Sequence, residues 1–154
     1  PMLADDVWLW TGTLDGIEQT IRHGIRHEGD DATRFSAMPA FGRDRLLTTS
    51  QIDELVQHVL SFSGRQTDME SASQGATLFA SQCASCHGDN AKGSRNVGAP
   101  DLTDEEWVFG GEPYDIAASI SNARNAHMPA WQGRLDDPTI KALALYVHSL
   151  GGGE

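Results

Sequence analysis

The chain has 154 residues, 39% of them hydrophobic, with 22 acidic and 11 basic side chains and a formal charge of −11. That length suits one medium domain or two small ones. The charge argues against nucleic acid as a partner, which needs a basic face, and no apolar run approaches the roughly 18 residues of a membrane span.

Residues 1–64 hold 10 acidic and 5 basic side chains, and residues 65–154 hold 12 and 6, so both parts are acidic. Such a surface is either plainly solvated or able to steer a basic redox partner. The chain opens at Pro1 with neither an initiator Met nor a charged and apolar leader, which marks it as processed or as a fragment. Apolar stripes at Leu14, Ile17 and Ile21, and again at Ile52, Leu55, Val56 and Val59, imply short helices separated by the loop "RHGIRHEGDDATRFS" and the tetrapeptide "MPAF" from Met38. The polar stretch "SGRQTDMESASQ", Ser63 to Gln74, lacks an apolar period and reads as a linker, placed at 65–72. Beyond it come a helix from about Ser73 to Ala84, the motif "CASCHG", a long loop, a short helix near Tyr114 to Ala123, the tetrapeptide "MPAW" from Met128, and a last helix from Pro138 to Leu150. The stripe of that helix is Ile140, Leu143, Ala144, Val147 and Leu150.

The two parts repeat one another. "PMLADDVWLWTG" at Pro1 matches "PDLTDEEWVFGG" at Pro100, an offset of 99; "MPAF" matches "MPAW" at an offset of 90; "LTTSQIDELVQHVLSFSG" from Leu47 matches "LDDPTIKALALYVHSLGG" from Leu135 at an offset of 88. A falling offset means extra loop residues in the first copy, with the order of elements kept, as in a domain duplication. The first copy starts at the equivalent of Pro100, so residues 1–64 carry no counterpart of the leading helix or of "CASCH". A segment so small and open needs either residues upstream or another surface to pack on.

Cys83 and Cys86 are the only cysteines. A Cys-x-x-Cys pair serves a redox disulfide, half of a zinc or iron–sulfur site, or covalent attachment of haem c. A four-ligand zinc or iron–sulfur site would need another cysteine pair or a His-x-x-x-His element, and neither is expected here. A thioredoxin-like dithiol needs a preceding strand, whereas "SASQGATLFASQ" has helical spacing at Leu78, Phe79 and Gln82. Haem c accounts for every residue of the motif: each thiol adds to a vinyl group, and His87 lies where its imidazole can bind iron. The far face of the iron then needs a ligand. Met128, 41 residues on, offers a soft thioether on a loop stiffened by Pro129, with His127 as the competing donor. Met38, the equivalent of Met128, would ligate a first haem only with an upstream attachment motif. Trp107, Arg124, Trp131 and Arg134 are candidate pocket residues for the ring or its propionates. His23, His27, His58 and His148 read as solvated or capping groups.

Gly75, Phe79, "CASCH", the "MP" loop and the closing "LALYVHSL" resemble the class I cytochrome c domain, an all-α fold, over residues 73–150. The resemblance implies that first and last helices cross, with Gly75 letting Tyr146 approach. "GAPDLTDEEWVFGG", "MPAWQGRLDD" and "YVHSLGGGE", with the truncated sister copy bearing "MPAFGRD" and "HVLSFSG", are more narrowly similar to subunit III of cbb3-type cytochrome c oxidases, the diheme c-type subunit. This resemblance implies the later part of one cytochrome c domain over 1–64 and a complete one over 73–154. It implies one covalent haem c on this chain and two in the intact protein. Its further implications are one-electron transfer toward a catalytic subunit, a monohaem subunit as another partner, a basic cytochrome c as a candidate donor, and no small-molecule substrate. The expected location is the periplasmic side of the bacterial inner membrane, with the anchor outside this chain. A soluble dihaem carrier for another periplasmic reductase or dehydrogenase fits the same motifs, and a dithiol oxidoreductase stays open.

Overall fold

The computed structural model describes residues 2–154; Pro1, the first residue of the expected first domain, lies outside them. The protein is all-α, with α1 Leu14–His23, α2 Thr49–Phe62, α3 Met69–Gln82, α4 Ala84–His87, α5 Pro113–Asn122 and α6 Asp137–Ser149. Among the described residues there are isolated bridges but no strands.

Local chemistry sets the helix ends. Thr13 caps α1 through the Gly16 amide, and Thr48 with Gln51 forms a reciprocal capping box on α2. Asp136 accepts from the Thr139 amide at the start of α6, with proline in its first turn. Helix α3 begins at Met69, four residues before the expected Ser73, because the Asp68 carboxylate accepts from the Ser71 amide and nucleates a turn inside the polar stretch. Only residues 63–68 are therefore free of helix between α2 and α3. The segment expected to run on to Ala84 stops at Gln82 and restarts as α4.

Two local features recur at the offset of 99 read from the sequence. Helices α1 and α5 each have ten residues at the offset of 99. Before each, a glycine lies under an indole: a Cβ on Gly12 would come within 2.6 Å of Trp8, and one on Gly111 within 2.6 Å of Trp107.

The chain forms two compact units, and their boundaries cross those of the repeats. The first comprises the chain up to Ser36, Arg95–Gly98 and Ala126–Glu154; it holds α1 and α6. Its core joins Ile17 and Ile21 of α1 to Ile140 and Ala144 of α6, with Trp8, Leu14, Met128, Trp131 and Val147 packed around them. The second comprises Ala37–Ser94 and Ala99–Asn125; it holds α2, α3, α4 and α5. Its core runs through Phe41, Ile52, Leu55, Val56, Val59, Leu60, Phe79, Ala91, Ile116 and Ile120. Each buried Val, Leu, Ile or Phe side chain of these cores contributes about 1.5–3 kcal/mol.

Helix α2 is the surface on which α3 packs. At Gly75 the two backbones meet so closely that a Cβ would lie 2.1 Å from the Glu54 carbonyl oxygen and 2.9 Å from the His58 Cβ. The expected partner, Tyr146, is instead 62% exposed. The reason is the repeat itself: His58 occupies in α2 the place that Tyr146 occupies in α6, at the offset of 88. His58 is accordingly packing material and neither solvated nor capping. Its ring lies 4.6 Å from that of Phe62 and 5.3 Å from that of Phe79, edge to face.

Burial holds the His58 pKa below the ordinary 6.5, partly offset by a backbone contact with Ala72. The folded protein thus binds fewer protons here than the unfolded chain. The stability from neutral His58 is complete above the unfolded pKa and is lost as pH falls toward the depressed folded value. Urea unfolding at about pH 7.5 and about pH 5.5 should show this loss in the haem-loaded protein, and His58→Phe should remove that component. Equal pH slopes in the two proteins would mean that His58 is not the titrating group.

Candidate haem-attachment site

Three features of the second unit build the site. The first is the end of α3, where Cys83 closes the helix with its amide on the Phe79 carbonyl. The single turn of α4 comes next and brings Cys86 and His87 round, their amides donating to the Cys83 carbonyl at 3.1 and 2.9 Å. Both thiols are free and half-buried. The second is the loop after Gly88, in which the Gly93 amide donates to the His87 carbonyl at 2.7 Å and the Leu102 amide to that of Ala91 at 2.8 Å. Gly93 has a φ of +74° and a Cβ there would lie 2.4 Å from the Ala99 carbonyl oxygen, so only glycine lets the loop double back on itself.

That doubling back delivers the third feature, the Pro100 carbonyl, 3.2 Å from Nδ1 of His87. A carbonyl can only accept, so Nδ1 carries the proton and Nε2 keeps its lone pair for a metal. The contact also fixes the ring's orientation, as is usual for histidines that ligate metals. Burial lowers the His87 pKa, with the Pro100 contact opposing, so the ring favours the neutral form that ligates.

The thiols differ from those of a dithiol enzyme. Burial, reinforced by the neighbouring Cys86 sulfur, pushes the Cys83 pKa up to about 11. An attacking thiolate needs the opposite shift. A protonated Cys83 thiol, the nearby Cys86 thiol and one oriented imidazole on the same turn suit haem c. The half-buried Leu102 and Trp107 pack against the same core as Cys83 and Ala84.

The other sequence-derived residues fall in both units. Trp107 is in the second unit, and so is Arg124, which is exposed and stacks over the Phe109 ring at 5.2 Å. Trp131 is in the first, covered by Arg134 at 5.8 Å, in the cluster that also contains Met128. His127 is exposed in that unit, its ring 5.7 Å from that of His27. Met38 is half-buried in the second unit, against the core that Cys83 and Ala84 also touch.

Two pairs escaped the motif reading. His23 and His27 have the spacing of a His-x-x-x-His element. Nδ1 of His23, however, lies 2.9 Å from the Asp30 carboxylate, and no group of three or more side chains that could hold a metal ion exists among the described residues. The other is Asn125 with Met38. The Asn125 amide accepts from the Met38 N–H at 3.1 Å and donates to the Met38 carbonyl at 3.0 Å. Only the identity of an asparagine shortly past α5 could have hinted at it.

Comparison with known proteins adds to this geometry. Residues 70–147 match the family model described as cytochrome c oxidase, cbb3-type, subunit III. The whole chain is 47% identical over 154 residues to the cbb3-type cytochrome c oxidase subunit CcoP of Cereibacter sphaeroides, of which it covers 53%. It is 48% identical over 160 residues to subunit CcoP of Azospirillum brasilense, covering 54%. Identity to subunit FixP of a Bradyrhizobium species is 49% over 155 residues, covering 53%. The chain thus spans about half the length of the curated relatives it matches.

Proposed function

We propose, because this chain belongs to the cbb3-type cytochrome c oxidase subunit III family, that it carries electrons through covalently bound haem c toward the catalytic subunit of such an oxidase. The observation that carries this reading is the His87 imidazole, held with Nε2 free by the Pro100 carbonyl on the same turn as two free thiols. Cys83 and Cys86 would form the two thioethers, and His87 would be the proximal ligand. Bound there, the haem supplies one-electron Fe(III)/Fe(II) cycling. The protein's part is to orient His87, to furnish a distal thioether from one of its Met-Pro-Ala loops, Met38 or Met128, and to shield the ring edge with Leu102 and Trp107.

Further parts of the reading are a place on the periplasmic side of the inner membrane and an assembly with catalytic and monohaem subunits. No helix among the described residues is long and apolar enough to cross a membrane. The charge of −11 suits a basic cytochrome c as donor, by steering that weakens as salt rises.

The test is the mass of the purified, denatured chain after acid–acetone extraction. Retention of one haem is the expected result, since only Cys83 and Cys86 can form thioethers. A haem that extracts, or a second that stays, would overturn the assignment of the two cysteines.

A further inference from the structure

We propose that His27 and His127, side by side in the first unit, are the protein ligands of a divalent late first-row transition ion, of the class of Zn(II) and Cu(II), with water in the remaining positions. The site is separate from the haem c reading and stands or falls without it.

The other four histidines are committed elsewhere. Nδ1 of His87 faces the Pro100 carbonyl and Nδ1 of His23 the Asp30 carboxylate. His58 is packed against Phe62 and Phe79, and Nε2 of His148 lies 3.1 Å from the Glu154 carbonyl oxygen. The rings of His27 and His127 instead face each other, their centres 5.7 Å apart and their planes inclined at 53°. An ion held about 2.1 Å from one nitrogen of each of two imidazoles sets the ring centres roughly 5–6 Å apart. The pair is thus at ligating distance before any ion arrives. Where a ring turns carbon to the ion, a half-turn about its Cβ–Cγ bond brings nitrogen round, and the exposed His127 is free to make it.

The backbone holds both residues at that spacing. Ile25 and Met128 form a closed antiparallel pair, amide to carbonyl at 2.9 and 3.0 Å. His27 lies two residues beyond Ile25 and His127 directly before Met128. The Arg26 guanidinium spans the same segments, donating to the carbonyls of Ser36 at 2.5 Å and Ala126 at 2.7 Å. The His27 amide donates to the Thr33 hydroxyl at 3.1 Å. Segments fixed in this way lose little freedom on binding an ion.

Comparison of the repeats shows that the fold does not require either imidazole. The Met38 loop has Ala37 in the place of His127, at the offset of 90. It still docks on its short helix, with the Phe41 amide on the Ile120 carbonyl at 3.1 Å, as the Trp131 amide is on that of Ile21. His27 lies in "RHGIRHEGDDATRFS", the loop with the extra residues of the first copy. The two rings therefore meet where the copies differ.

The donors select the ion. Imidazole suits zinc, copper and nickel, whereas magnesium and calcium want oxygen ligands. The Asp30 carboxylate is near enough to His27 to interact with it electrostatically, which favours a cation and offsets the Arg26 charge. An ion bound here ties the loop after α1 to the Met128 loop.

The test is calorimetric titration of the haem-loaded 154-residue chain with zinc chloride, at about pH 7.5 because protons compete for the same lone pairs. A single site is expected. His27→Ala and His127→Ala should each weaken binding at least about tenfold, since loss of even a partner behind a metal ligand costs about 10–100-fold. His148→Ala should bind zinc as wild type does, and magnesium chloride should give no heat above dilution. With copper sulfate, the electron paramagnetic resonance spectrum should carry nitrogen splitting from two imidazoles in the wild type and from fewer in either variant. His127→Ala matches the residue that the other loop already carries, so its loss of binding cannot be assigned to unfolding. Wild type that binds no zinc would overturn the proposal, as would undiminished affinity in His27→Ala or His127→Ala, or loss of binding in His148→Ala.

Discussion

Substitution of Gly75 by valine should lower the melting temperature of the haem-loaded protein by roughly 10 °C. The new Cβ would sit 2.1 Å from the Glu54 carbonyl oxygen, a backbone atom that no rotamer change can move. The helices must separate, loosening Phe79 and Leu55, both almost wholly buried at that contact. Overpacking of this kind costs about 3 kcal/mol, at roughly 3 °C per kcal/mol for a chain of this size. Tyr146→Ala is the matched control and should melt within about 2 °C of wild type, since an exposed side chain contributes little. The reverse ranking would mean that α3 packs on α6 and not on α2.

The second large effect is expected from replacing Cys83 and Cys86 together by serine. A serine hydroxyl does not add to a vinyl group as a thiol does, so visible absorbance of the purified, acid-extracted chain should fall to background. The second unit should also lose its cooperative melt, because a unit this small with ten buried core residues has little stability to spare. Far-ultraviolet dichroism during a thermal scan would register that loss. Covalent haem surviving in the double variant would place the attachment on other atoms.

Much of this was legible in the sequence. The stripes at Ile17 and Ile21 and at Ile52, Leu55, Val56 and Val59 are buried as their spacing requires, and α5 and α6 fall within a residue of their expected bounds. Gly75 was identifiable as a close approach, because a glycine inside an amphipathic helix needs a reason. Its partner was not. Periodicity tells which face of α2 or α6 is apolar, but two copies of one pattern present nearly the same face, and nothing local says which receives α3. The contact of Met38 with Asn125 was equally hidden. The start of α3 was obscured by composition, since the polar residues from Asp68 to Ser71 look like linker until the carboxylate is seen to cap an amide. The Pro100 contact with His87 depends on a loop doubled back at Gly93, a conformation that no periodicity encodes.

The pairing of α2 with α3 also bears on how the chain finds its structure. Six residues, 63–68, separate these helices, whereas 54 residues, 83–136, lie between α3 and α6. Closing a loop nine times longer costs about 2 kcal/mol more in chain entropy, since each doubling adds about 0.6 kcal/mol. Contacts this local also form fast. A chain emerging from its N-terminus can therefore fold Met38, α2, α3 and the cysteine turn into one nucleus before α6 exists, and the late-arriving α6 finds its rival site on α3 already filled.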